Sequence, residues 1–101
     1  MLHMVVATHG PDTCAAVIPE IRTKAESGLK RIDEVAKKLG ITVKGGWGNM
    51  PGHVMWMVCD APNAHVVSQM AVELQLMDWS TVTVTPVIGF DEILARLQQR
   101  K

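Results

Sequence analysis

The side chains best equipped for chemistry in this chain are His9, His53 and Cys14. Imidazole nitrogen and thiolate sulfur together suit a borderline or soft transition metal such as copper or zinc, and a histidine can also ligate haem iron. The same imidazoles, with an ordinary pKa of about 6.5, can move protons as general acid or base. No close ligand pair of the zinc-signature kind joins them. Gly45-Gly46 to Gly48 lies at a strand end entering a hairpin, without the strand-to-helix context of a phosphate loop. Any site must therefore be assembled by the fold from residues far apart in sequence.

The elements that would do so are readable. Gly52 to Asp60 alternates His53, Met55, Met57 and Cys59 with Val54, Trp56, Val58 and Asp60, a strand that is apolar on both sides and belongs in the middle of a sheet. Leu2 to His9 has the same character, with His3, Val5, Ala7 and His9 on one side. Gly10 to Thr13 is an expected turn that can open a helix, with Asp12 or Thr13 as candidate cap. A short irregular helical segment breaks before Pro19, and a regular helix runs from Pro19 to Leu39. Its expected inner stripe is Ile21, Ala25, Leu29, Ile32, Ala36 and Leu39; Glu26/Lys30, Asp33/Lys37 and Glu34/Lys38 are spaced to pair on its outer face. Gly40 closes the helix.

Ile41 to Trp47 is an expected edge strand with Ile41, Val43, Gly45 and Trp47 on one side and Lys44 on the other. Asn63 caps a second helix, Ala64 to Met77, whose inner stripe is Val67, Met70, Ala71, Leu74 and Met77. Thr81 to Val87 is an expected strand that, because Pro86 cannot donate to a ladder, lies at a sheet edge or ends there. Asp91 is the expected cap of a short C-terminal helix carrying Ile93, Leu94 and Leu97.

Strand, helix, strand, strand, helix, strand is the βαββαβ order of the α+β ferredoxin-like fold, a four-stranded antiparallel sheet with helices on one side. The chain has 101 residues, one domain's worth, spanning 1–101. The other side of the sheet is left bare, and two sheets packed face to face would cover it, giving a homodimeric α+β barrel. A hydrophobic fraction of 48% fits such an interface. Ten basic and ten acidic residues cancel, which leaves no electrostatic footprint for nucleic acid or an anionic membrane surface. With no apolar membrane span, no signal-peptide pattern and two cysteines expected as thiols, the expected location is cytoplasmic.

From Leu39-Gly40-Ile41 through Gly52-His53 to Asp60-Ala61-Pro62, then Leu76-Met77-Asp78-Trp79 and Thr85-Pro86-Val87, the chain resembles the GYD-domain proteins and their uncharacterised relatives among small dimeric α+β-barrel proteins. Gly52-His53-Val54 stands in the region of the namesake Gly-Tyr-Asp. The resemblance implies the fold and a dimer. Related barrels include monooxygenases and isomerases that hold a small organic substrate between sheet and helices.

In the inferred topology the end of the first strand lies beside the start of the third, so His9 approaches His53. Cys14, Met50 and Asp78 come to the same rim, whereas His3, Cys59 and His65 fall at the opposite end as packing or solvated groups. Three functions are open. The first is a homodimer that binds a small ligand, with copper, zinc or haem at His9, Cys14 and His53 and with Trp47, Met55, Trp56 and Trp79 around the ligand. The second is a monooxygenase- or isomerase-like enzyme using His9 and His53 as acid and base. The third is a non-catalytic regulatory or interaction module, in which the two histidines are rim or core groups hydrogen-bonded locally.

Overall fold

The structure, a computed structural model, describes residues 1–100. The chain folds as β1 (Leu2–Thr8), α1 (Pro19–Lys38), β2 (Thr42–Asn49), β3 (Val54–Asp60), α2 (Ala64–Glu73), β4 (Thr81–Val87) and α3 (Phe90–Gln98). Single 3-10 turns occupy Pro11–Thr13 and Leu76–Asp78. The four strands make one antiparallel sheet in the order β2-β3-β1-β4, so the expected ferredoxin-like α+β topology holds. The two strands with apolar residues on both faces are its central pair.

Alternation divides the sheet cleanly. Val5 and Cys59 on one face join Val35 and Ala36 of α1 and Val67 and Met70 of α2 in the buried core, with His3 and Ala7 buried on the same face. On the other face Leu2, Met4, Val6, Val54 and Val58 are only partly buried and Trp56 is exposed. Asn63 caps α2 as expected, its side-chain oxygen accepting from the Val66 N–H at 3.0 Å. Gly40, at φ +72, terminates α1 in the left-handed conformation that glycine adopts without strain.

Several local expectations change. Leu29 is 66% exposed, and Gly28 takes the inward position instead. A Cβ there would stand 2.9 Å from the Leu74 carbonyl oxygen, so α1 rolls its small residue against the end of α2. None of the three anticipated four-apart pairs of α1 closes among the described residues. Lys38 bonds to Glu73 of α2 at 3.1 Å and Lys24 to Asp78 at 3.2 Å, because these partners tie one element to another. The second helix ends at Glu73: Gln75 turns left-handed at φ 59, a 3-10 turn follows, and Met77 is left 42% exposed.

The most consequential change is in β2. A bulge between Val43 and Gly45 inserts Lys44, so Val43 opposes Cys59 but Gly45 opposes Val58 and Trp47 opposes Trp56. Trp47 thereby moves to the face of Trp56, not the face of Val43. α3 starts from Gly89 as N-cap, with Asp91 inside its first turn. No residue of α3 is buried, and Phe90 (88%), Leu94 (55%) and Leu97 (58%) stand exposed. The molecule is correspondingly long, 55 × 30 × 18 Å. Among the described residues no helix is long and apolar enough to cross a membrane.

Candidate functional site

The antiparallel register places the ends of β1 and the start of β3 together, with Thr8 opposite Val54. One residue beyond each strand stand His9 and His53, and the ladder continues through them: the His9 N–H donates to the His53 carbonyl at 3.1 Å. His53 does not continue the extended strand. It sits at φ 55, in the left-handed region, inside a tight turn closed by its own N–H on the Met50 carbonyl at 3.2 Å. Histidine enters this region more readily than most residues, but such backbone strain clusters where a side chain must be aimed.

What it aims at is His9. His53 Nδ1 and His9 Nε2 are 3.3 Å apart, and the rings meet edge to face with centroids 5.1 Å apart and planes at 74°. Trp79, only 6% exposed, backs His9 at 5.2 Å. Cys14 supplies the third donor. It follows the 3-10 turn, its carbonyl accepts from the N–H groups of Val17 and Ile18, and its side chain is buried. The ligand atoms of His9, Cys14 and His53 all lie within 4.8 Å of one another.

Burial, and next the charge of His53, lower the pKa of His9, so its imidazole stays neutral further into the acid range and keeps a lone pair for a metal or a proton. The thiol is a better ligand still once a cation displaces its proton. At 3.3 Å the two nitrogens are long for a hydrogen bond and well placed for chelation. Two nitrogens each bonded to zinc at tetrahedral angles stand about 3.3 Å apart. A compact donor set of this kind suits a single ion better than the broad plate of a haem.

Beside the cluster is a half-open cavity of about 740 Å³, bordered by α1 and the helix-covered face of the sheet and also by Val54, Trp47 and Trp56 of the other face. Val5, Ala7, Met55, Met57, Ala25, Ile32 and Leu74 line it, with His9, Cys14 and Trp79 at one end. Of the four residues expected around a ligand, Met55 and Trp79 belong to this interior. Trp47 and Trp56 also border the cavity, but they are register partners on the face away from the core, 62% and 37% exposed. Met50 borders it from the hairpin. Asp78 reaches the same end of the molecule, where its carboxylate is engaged by Lys24.

Two supports were not legible in the sequence. Arg22 folds back on the loop, its Nε donating to the Ala15 carbonyl at 3.2 Å and Nη2 to that of Ala16 at 3.0 Å, which pins the segment carrying Cys14. Nothing in the spacing of an arginine on an amphipathic helix announces this. Gly28 is the other: helical spacing points to Leu29 as the inward residue, and only the close approach of Leu74 makes Gly28 fit there.

The family model for a domain of unknown function, DUF3303, matches residues 1–101. The chain belongs to the DUF3303 family. The expectation of an uncharacterised family holds in this form. No curated protein matches this DUF3303 chain.

Proposed function

We propose that this DUF3303 protein binds a transition-metal ion at His9, Cys14 and His53 and holds a small organic ligand in the cavity beside it. The observation that carries the reading is the 3.3 Å separation of His9 Nε2 and His53 Nδ1 with a buried thiol within 4.8 Å. Two imidazoles and one thiolate make a three-ligand site for zinc or copper that keeps a fourth position for an exogenous ligand. The ion acts there as Lewis acid or ligand anchor, and the protein fixes the donors and keeps water from the apolar side.

A second reading draws on the neutral state of His9. Paired with His53 at the end of the cavity, it is suited to take a proton from a bound substrate, which is how a monooxygenase- or isomerase-like enzyme would use the two residues. Chelator treatment separates the readings, since proton transfer by histidines alone survives it.

The protein works as a homodimer in this account. The sheet face away from the core, with Leu2, Met4, Val6, Trp56 and Val58, together with the exposed apolar stripe Phe90, Ile93, Leu94 and Leu97 of α3, favours an isologous face-to-face pair. Likeness to GYD-domain barrels would then lie in this assembly, and two free cysteines favour a reducing, cytoplasmic setting.

Metal analysis of the untagged protein as purified, with molar mass in solution, tests the proposal. One zinc or copper per chain, lost in His9→Ala and His53→Ala variants that still fold, is the expected result. A folded protein that retains no metal after incubation with either ion contradicts the metal assignment, and a monomer contradicts the dimer.

A further inference from the structure

Two inward positions of the sheet carry no side chain. Gly46 is the register partner of Met57 and Gly48 of Met55, so both glycines lie on the helix-covered face. Both are nevertheless exposed, and both border the cavity. Glycine weakens a strand, because it loses more backbone freedom on folding than other residues and has no side chain to pack.

Nothing inside the protein requires glycine at either place. Neither has a positive φ; among the described glycines only Gly40 does. Beyond the adjoining residues, a Cβ at Gly46 would meet the Trp56 carbonyl oxygen first, at 3.6 Å, and one at Gly48 would meet Met55 Cγ first, at 3.7 Å, both ordinary contacts. Gly45 in the same strand is different, since a Cβ there would stand 2.7 Å from the Trp47 ring. The room over Gly46 and Gly48 therefore belongs to the cavity. Bare strand backbone without a steric or conformational need for glycine marks a place where a ligand comes close.

The surroundings restrict its shape. Two peptide planes without side chains form a flat floor. Met55 and Met57 stand beside them across the ladder and line the same cavity, as do Ala25 and Ile32 of α1. Methionine sulfur packs favourably against aromatic rings. A saturated ring system is thicker and gains no such contact. The volume of about 740 Å³ lies within the range of pockets for small organic molecules.

We infer that the cavity takes a flat aromatic molecule, one face of which lies on the bare backbone of Gly46 and Gly48, and that these two glycines set the preference for flatness. This rests on the reading of the cavity as a ligand site and is independent of which ion, if any, occupies the cluster.

The test measures binding of 2-naphthalenemethanol and of decahydro-2-naphthalenemethanol to the full-length chain by calorimetry. The two share a fused-ring skeleton and an alcohol, so apolar burial alone leaves them nearly equal. The aromatic compound is expected to bind about tenfold more tightly. In Gly46→Ala and in Gly48→Ala this advantage is expected to disappear, while the urea midpoint holds or rises because the added methyl meets no clash. Equal or tighter binding of the saturated compound to the native chain overturns the flat aromatic class and leaves the cavity reading intact. Persistence of the aromatic advantage in either variant overturns the glycine floor. A lowered urea midpoint in either variant shows that the fold itself needs glycine there, which also overturns the floor. If neither compound binds the native chain, the ligand reading of the cavity fails together with this inference, whereas loss of metal binding alone leaves it standing.

Discussion

The two ends of the sheet carry the same chemistry in opposite settings. At one end His3 opposes Cys59 across β1 and β3, and both are 0% exposed beneath a core that includes Val67 and Met70. At the other, His9 meets His53 and Cys14 at a rim that borders a cavity. Burial, and then the charge of Asp60, raise the pKa of the Cys59 thiol and hold it protonated. Both nitrogens of His3 are buried without partners, yet no third donor stands near enough to complete a ligand set among the described residues. Residue type alone therefore does not make a site. A third donor and room for a ligand distinguish the rim from the sealed end.

The comparison can be broken most forcefully at the sealed end. Met70→Ala should cost about 2–5 kcal/mol by opening a void in the core, measured by urea denaturation, and should leave metal affinity unchanged once folded protein is compared with folded protein. If zinc affinity falls with stability in the folded fraction, the two ends are not independent. At the rim the effects reverse. Cys14→Ser should lower zinc affinity by roughly 100-fold or more, while unfolding free energy changes by about 1 kcal/mol. An unchanged affinity would remove the thiol from the ligand set.

A smaller effect separates the two histidines. His3→Leu removes two unpaired buried nitrogens and keeps an apolar body of similar size, so stability should hold or rise by about 1 kcal/mol. A loss well beyond that would reveal a partner for His3.

The smallest effect is in pH. The pKa of His9 is lowered in the folded state from its ordinary 6.5, so the unfolded chain binds the extra proton more readily. Stability then rises with pH through this window: the contribution is complete above about 6.5 and declines as pH falls toward the lowered folded value. Denaturation midpoints for metal-free protein between pH 5 and 7.5 should show this slope, with His9→Gln flatter than the parent. A parent no steeper than the variant would contradict the burial assigned to His9.

Much of this frame was legible because strand alternation and burial carry the same information. Two apolar faces placed β1 and β3 at the centre, Pro86 placed β4 at an edge, and those pairings alone bring residue 9 to residue 53. What escaped is what local geometry decides. The bulge at Lys44 reverses the facing of Trp47 without altering the composition of the strand, although the Gly45-Gly46 pair beside it is where a strand bends most readily. Helical spacing cannot say whether Leu29 or Gly28 faces inward until the approach of α2 is known. Likewise, no pattern foretells the left-handed turn of His53 that aims its ring, the hold of Arg22 on the Cys14 loop, or the unpaired Nδ1 of His9.

The proposed three-ligand metal centre lies at the rim and not at the sealed end. Cobalt(II) added to the metal-free protein reports ligand type and geometry together. One cobalt per chain is expected, with intense visible bands of a tetrahedral ion and a near-ultraviolet thiolate-to-metal charge-transfer band that vanishes in Cys14→Ser and persists in Cys59→Ser. A pale octahedral spectrum without thiolate charge transfer, or one that depends on Cys59 instead of Cys14, would contradict it.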